Sequence, residues 1–133
     1  MTVKKCIVSV VLVFAFAIMW NGLFHMVLIS EQNALIADLR RSDMSEKMLL
    51  SLLITLGMAI LFVISYNKWL SKGDVIESLT HGLFFAVLAG VLVNANQYFI
   101  YPIPGKLACL WFMGGLIEFC FYALIVWLVQ RYD

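Results

Sequence analysis

The chain has 133 residues, of which 64% are hydrophobic and 13% are charged. Water-soluble domains are roughly half apolar and about a quarter charged, and a small domain buries only part of its surface, so this composition excludes a water-soluble fold. The net charge of +1 excludes a nucleic-acid-binding surface, which needs clustered Lys and Arg.

The first apolar segment covers residues 6–29 and follows Lys4 and Lys5. A secretory signal peptide also begins in this way, but its apolar core has only about 7–15 residues and ends at a small-residue cleavage site. The present segment is longer and lacks such a site. We therefore expect it to remain in the protein as the first membrane span.

Residues 30–41 connect the first span to the second and contain both polar and apolar side chains. Their spacing predicts a short amphipathic helix with Leu35, Ile36 and Leu39 on its apolar side. The following residues 42–43, Ser and Asp, are of the types that cap helix N-termini. We expect them to cap the second span.

Three further apolar segments follow, at residues 48–66, 75–98 and 107–129. Each is close to the ~20 residues that cross a membrane as a helix, and helices satisfy the backbone polar groups that lipid cannot. Residues 67–74 are short and polar, which predicts an antiparallel hairpin, and Pro102 and Pro104 end the third helix. The sequence therefore predicts an all-α integral membrane protein, a four-helix transmembrane bundle in a single domain over residues 1–133.

Small residues recur at every fourth position of the third span. The series is Ser78, Gly82, Ala86 and Gly90. Residues four apart share one face of a helix, and small side chains let helices approach closely in lipid. We expect this row to form a helix-packing ridge that faces the bundle centre.

Polar side chains within the spans form a second pattern. Ionisable groups at membrane depth are costly and usually face the bundle interior. Glu118 lies roughly 16 Å into the fourth span, near the middle of the membrane, and Asn21 lies at about the same depth. We predict one intramembrane polar site that opens toward the face opposite the termini. Its candidate residues are Asn21, His25, Asn94, Gln97 and Glu118.

No residue pattern predicts a catalytic, cofactor or metal site. The cysteines lie in apolar stretches without C-x-x-C spacing, which is typical of small buried hydrophobes. They are Cys6, Cys109 and Cys120. His25 and His81 lie near opposite faces, which argues against a bis-histidine haem within one bundle. His81 follows Glu77 by four positions, so we expect an interfacial salt bridge between them.

Three classes of function fit these features. The absence of strong motifs and the ridge favour a non-enzymatic bundle that binds a partner protein or lipid as an accessory or structural protein. The alternative is an oligomeric transporter of a small molecule, linked to a proton or cation through the Glu118 carboxyl. An enzyme with a membrane-embedded site is the least favoured class. The expected partners are the lipid bilayer and either further copies of the chain or another membrane protein.

The basic residues are nearly balanced between the two faces of the membrane. The side of the termini has Lys4, Lys5, Lys68, Lys72 and Arg131, and the opposite side has Arg40, Arg41, Lys47 and Lys106. This small excess predicts both termini in the cytoplasm, in a bacterial inner (plasma) membrane. Two alternatives stay open: folding or a partner sets the orientation, or the chain inserts both ways and pairs antiparallel.

Overall fold

The computed structural model describes residues 1–70 and 72–132, and the regular elements in these ranges are all helical. Four of the helices are long and apolar enough to cross a membrane. With one short helix between the first two, the elements are α1 (Val3–Leu28), α2 (Ser30–Ala34), α3 (Met44–Leu70), α4 (Val75–Ile100) and α5 (Gly105–Arg131). The predicted all-helical fold with four such helices is confirmed, and each long helix begins at or before the predicted apolar segment.

Helix α5 organises the bundle, since it packs against both α4 and α1, and α1 in turn packs against α3. Helices α3 and α4 touch each other much less. The main core lies in the half of the bundle near the termini and includes Val13, Ala17, Phe62, Tyr66, Phe119 and Val126. A smaller apolar cluster lies at the opposite end and comprises Phe24, Ile29, Ile36, Ile103 and Leu107.

The predicted row of small residues lies where α4 meets α5. Ser78, Gly82 and Ala86 are buried, and a Cβ atom added to Gly82 would lie 2.5 Å from the backbone oxygen of Phe119. This contact leaves no room for a side chain, so glycine sets how closely the two helix backbones approach. Such close packing supplies the van der Waals contacts that hold helices together in lipid.

The connector between α1 and α3 differs from the predicted amphipathic helix. Helix α2 ends at Ala34, and a separate 3₁₀ turn follows at Ala37–Leu39. Ile36 is buried, whereas Leu35 is 70% exposed and Leu39 is also exposed. The three side chains therefore do not form one apolar side, because the chain turns inward at Ile36 to cover the end of the bundle.

The predicted cap at residues 42–43 is also wrong, because Asp43 binds Arg41 instead. Arg41 Nε donates to Asp43 Oδ1 at 2.8 Å and Arg41 Nη2 donates to Oδ2 at 3.1 Å. This guanidinium lowers the pKa of the Asp43 carboxyl below its ordinary value. The 3₁₀ turn at Met44–Lys47 therefore begins without a side-chain cap.

Helix α4 has the side-chain cap that α3 lacks. The Glu77 amide donates to Asp74 Oδ1 at 2.8 Å, and the Asp74 amide donates to Glu77 Oε2 at 3.2 Å. This reciprocal pair is a capping box, and it satisfies two of the free amides at the helix start. The Glu77 carboxylate is therefore turned toward the hairpin rather than along the helix.

The capping box explains why the predicted Glu77–His81 salt bridge is wrong. Within residues 1–70 and 72–132, His81 does not pair with Glu77 but contacts Ser65 Oγ through Nε2 at 3.0 Å. The Ser65 hydroxyl donates its own proton to the Phe62 carbonyl at 2.9 Å. Ser65 therefore accepts from His81, which links α4 to α3.

Candidate intramembrane polar site

Glu118 lies on the inner face of α5 and receives hydrogen bonds from two helices. Asn21 Nδ2 of α1 donates to Glu118 Oε1 at 3.3 Å, and the Tyr122 hydroxyl donates to the same oxygen. Tyr122 follows Glu118 by four positions, so both side chains lie on one face of α5. Both recorded donors are neutral groups, and among the described residues both bonds end on Oε1.

All five residues of the predicted site line one cavity of about 340 Å³ between α1, α4 and α5. These residues are Asn21, His25, Asn94, Gln97 and Glu118. Asn21 and Glu118 are in direct hydrogen-bond contact, whereas Asn94 and Gln97 form the α4 wall of the cavity. The structure thus brings the five residues together around a space rather than into one continuous chain of hydrogen bonds.

A second, larger cavity of about 870 Å³ lies between α1, α3 and the connector. Four residues line both cavities, namely Asn21, His25, Gln97 and Trp111. The two spaces therefore adjoin at these side chains. The larger cavity extends to Leu39 and Arg40 in the connector, so polar groups continue from Glu118 to the connector end of the bundle.

Asn33 is a site residue that the sequence analysis missed. It is 4% exposed, and its Oδ1 accepts from Trp111 Nε1 at 3.0 Å. Because the indole nitrogen only donates, this bond orients the amide, and Asn33 Nδ2 then donates to His25 Nδ1 at 3.1 Å and to the His25 carbonyl at 3.2 Å. A neutral His25 with an acceptor at Nδ1 carries its proton on Nε2, which leaves Nε2–H as a donor.

Both α1 and α4 contain a π-helical turn beside the smaller cavity. The turns are Phe24–Leu28, which includes His25, and Gly90–Ala95, which includes Asn94. Such turns are rare in helices and occur frequently at functional sites. Each places one of the predicted polar residues on the cavity wall.

Close packing of α1 against α5 holds the first of these π-helical turns in place. The Trp20 indole donates to the Gly114 carbonyl at 3.2 Å, and a Cβ on Gly114 would lie 2.5 Å from the Phe24 ring. Gly114 therefore lets an aromatic ring rest directly on the α5 backbone, one turn from Glu118. Trp20, Phe24 and Gly114 thereby form part of the wall of the smaller cavity.

The chemistry of the described residues is that of a carboxyl site with amide and imidazole neighbours. No group of three or more His, Cys, Asp or Glu side chains in residues 1–70 and 72–132 could hold a metal ion. The cysteines are not the buried hydrophobes that the sequence predicts: Cys109 is exposed on its helix, and Cys6 and Cys120 are half-buried. The groups that remain for chemistry are the Glu118 carboxyl and the His25 Nε2 donor.

Comparisons with protein families, with curated proteins and with solved structures find no match to this chain. Its function is therefore inferred from the chemistry of the cavity.

Proposed function

We propose that this protein is a small membrane transporter that binds a proton or a small organic cation at Glu118. The observation that carries the proposal is the Glu118 carboxyl itself, held by Asn21 and Tyr122 at the wall of a cavity between three helices. Acidic residues at membrane depth are costly and mark ion or substrate pathways more often than other residues do.

The charge balance of the site supports a cationic ligand. Asn21 and Tyr122 stabilise a carboxylate by hydrogen bonding, but neither supplies a positive charge. An ionised carboxylate without a counter-charge is expensive to hold in apolar surroundings. A bound proton or a bound cation removes that cost, and the two compete for the same oxygen atoms. Such competition is the elementary step of proton-coupled exchange.

The cavity favours transport over the accessory or structural role. A bundle that only packs against a partner needs a complementary outer surface. An inner space lined by five polar residues would cost such a bundle free energy, because buried polar groups are unfavourable and the space adds no packing contacts. All five predicted polar residues, including Glu118, line this one space between α1, α4 and α5. The homo-oligomer or partner membrane protein expected from the sequence stays a prediction.

The proposal is tested with purified protein in liposomes, using tetraphenylphosphonium as the probe cation. We expect the wild-type protein to bind the probe, to release protons as it binds, and to take up the probe when a pH gradient is imposed. Glu118→Gln keeps an oxygen that accepts from Asn21 and Tyr122 but removes the charge, so it should abolish proton release and lower uptake at least tenfold.

Glu31→Gln is the matched control, because it removes the same charge from a residue that lies in the connector, outside both cavities. It should transport as the wild type does. Unchanged uptake and proton release in Glu118→Gln would reduce Glu118 to a structural hydrogen-bond acceptor and would end the proposal.

A further inference from the structure

The larger cavity is charged at one end and uncharged along the rest of its walls, a difference that the Glu118 site does not explain. Its connector end carries the guanidinium of Arg40 and the imidazole of His25, whereas the rest of its walls are uncharged and combine apolar side chains with polar ones such as Ser51 and Thr55. The apolar lining includes Ile18, Met26, Met44, Met48 and Leu52. We infer that this cavity binds one anionic phospholipid, with its headgroup phosphate at Arg40 and one acyl chain between α1 and α3.

The depth of the lining residues matches the shape of a lipid. Arg40 lies in the connector, outside the long helices, which is where headgroups are found. Ile18 lies about two helical turns from His25, roughly 10 Å further toward the middle of α1. The cavity therefore runs from a charged end at the surface to an uncharged part within the spans, where Ile18, Met26 and Leu52 line it. This is the same order as a phosphate and its acyl chain.

The cavity is also open to lipid from the side. The main core contains α3 residues only from Met58 onward, and the connector half of α3 is uncovered by protein. Its exposed side chains include Leu49, Leu50, Leu53 and Ile54. In this half the cavity lies between α1 and α3 and has an opening at its side, so an acyl chain can enter laterally from the bilayer. Methionine side chains adapt readily to a flexible chain.

Charge complementarity selects an anionic headgroup. The neighbouring Arg41 is paired with Asp43 through its Nε and Nη2 atoms. The Arg40 guanidinium has no side-chain partner within residues 1–70 and 72–132, and it lines the cavity together with the His25 ring. The His25 Nε2–H and the guanidinium are both donors, which suits phosphate oxygens. Basic pockets between membrane helices bind anionic headgroups in this way.

The two arginines provide a matched test. Delipidated protein is titrated with phosphatidylglycerol or phosphatidylcholine, and bound lipid is counted by native mass spectrometry. We expect phosphatidylglycerol to bind about fivefold more tightly, as one well-placed basic residue near the surface provides. Arg40→Gln should abolish this preference, and Arg41→Gln should preserve it. The inference would be overturned if the wild type bound the two lipids equally, or if both variants lost the preference for phosphatidylglycerol to the same extent.

A second pair of variants tests the acyl-chain end of the cavity. Gly22 lines the cavity and has open space where a Cβ would stand, and Gly57 has the same space but lies outside the cavity. Gly22→Leu should therefore weaken the binding of both lipids at least fivefold, whereas Gly57→Leu should leave the binding of both unchanged. Equal effects of the two leucines would contradict an acyl chain between α1 and α3.

Three further measurements exclude other occupants and separate this inference from the proposed transport. Soluble glycerol phosphate should not displace the lipid; complete displacement would mean that the site recognises phosphate alone. A dimer that forms in place of lipid binding would assign the cavity to a second copy of the chain. Glu118→Gln should retain the phosphatidylglycerol preference even where it abolishes cation uptake, and Arg40→Gln should retain cation binding.

Discussion

One buried amide joins three parts of this molecule. Asn33 belongs to the short helix α2, its oxygen accepts from Trp111 of α5, and its nitrogen donates to the ring and the carbonyl of His25 in α1. Every polar atom of the amide group is used. The side chain therefore holds the connector against the bundle and sets the tautomer of a residue that lines both cavities.

Asn33→Leu should destabilise the protein by about 1–3 kcal/mol, because it removes the hydrogen-bond partner of the half-buried Trp111 N–H and of His25 Nδ1. The measurement is the free energy of unfolding in detergent. Asn96→Leu is the control, since the exposed Asn96 amide donates to the Leu92 carbonyl of its own helix, and this variant should lose less than ~0.5 kcal/mol of stability. Equal costs for the two variants would show that the Asn33 bonds contribute nothing specific.

At the scale of the elements, the contact between α4 and α5 depends on a glycine. Gly82→Ala places a methyl group against the Phe119 carbonyl oxygen, and a backbone atom cannot rotate away as a side chain does. We expect a loss of about 1–3 kcal/mol in the free energy of unfolding, as for other overpacked contacts. Gly57→Ala is the same change in open space on α3, and it should leave stability unchanged or raise it through better helix propensity.

Of the two variants, Gly82→Ala alone is expected to lose stability, which makes the comparison informative. A Gly82→Ala protein as stable as the wild type would mean that α4 and α5 separate without cost. In that case the row of small residues on α4 would not determine how closely α4 and α5 approach each other.

The long helices were predictable because the apolar segments that form them are local in the sequence. The connector was not predictable, since its structure depends on residues far away in the sequence. Apolar composition alone locates the four helices. The inward turn at Asn33 requires Trp111, seventy-eight positions away, and no pattern within the connector shows that pairing. The two π-helical turns are equally hidden, since their residues have ordinary helical spacing.

One error was avoidable from the sequence. Asp74 precedes Glu77 by three positions at the start of an apolar helix, which is the signature of a capping box. This reciprocal pairing competes directly with the Glu77–His81 salt bridge, and in the structure it takes the Glu77 carboxylate. The polar residues Asn21 and Glu118 were matched by depth, a simple consequence of helical rise, and the structure joins them by a hydrogen bond.

At the scale of the whole molecule, the two halves of the bundle differ in how they are packed. The half near the termini contains the main core, and the connector half contains both polar cavities, which reach α1, α3, α4 and α5. The proposed binding sites therefore lie in the half of the bundle that does not contain the main core. Variants at the cavities are therefore expected to change binding with little loss of fold, apart from residues such as Asn33 that serve both.

The two faces predicted for the bundle differ by a single basic residue, with five on the side of the termini and four on the connector side. Replacing Lys68 and Lys72 by Ala leaves fewer basic residues on the side of the termini than on the connector side, so the positive-inside rule predicts a shift toward the reverse orientation. The Lys68→Arg, Lys72→Arg double variant keeps both charges and should keep the wild-type orientation. The measurement uses C-terminal reporters that are active in only one compartment. A double-alanine variant with unchanged reporter signals would mean that folding or a partner, rather than the balance of basic residues, sets the orientation.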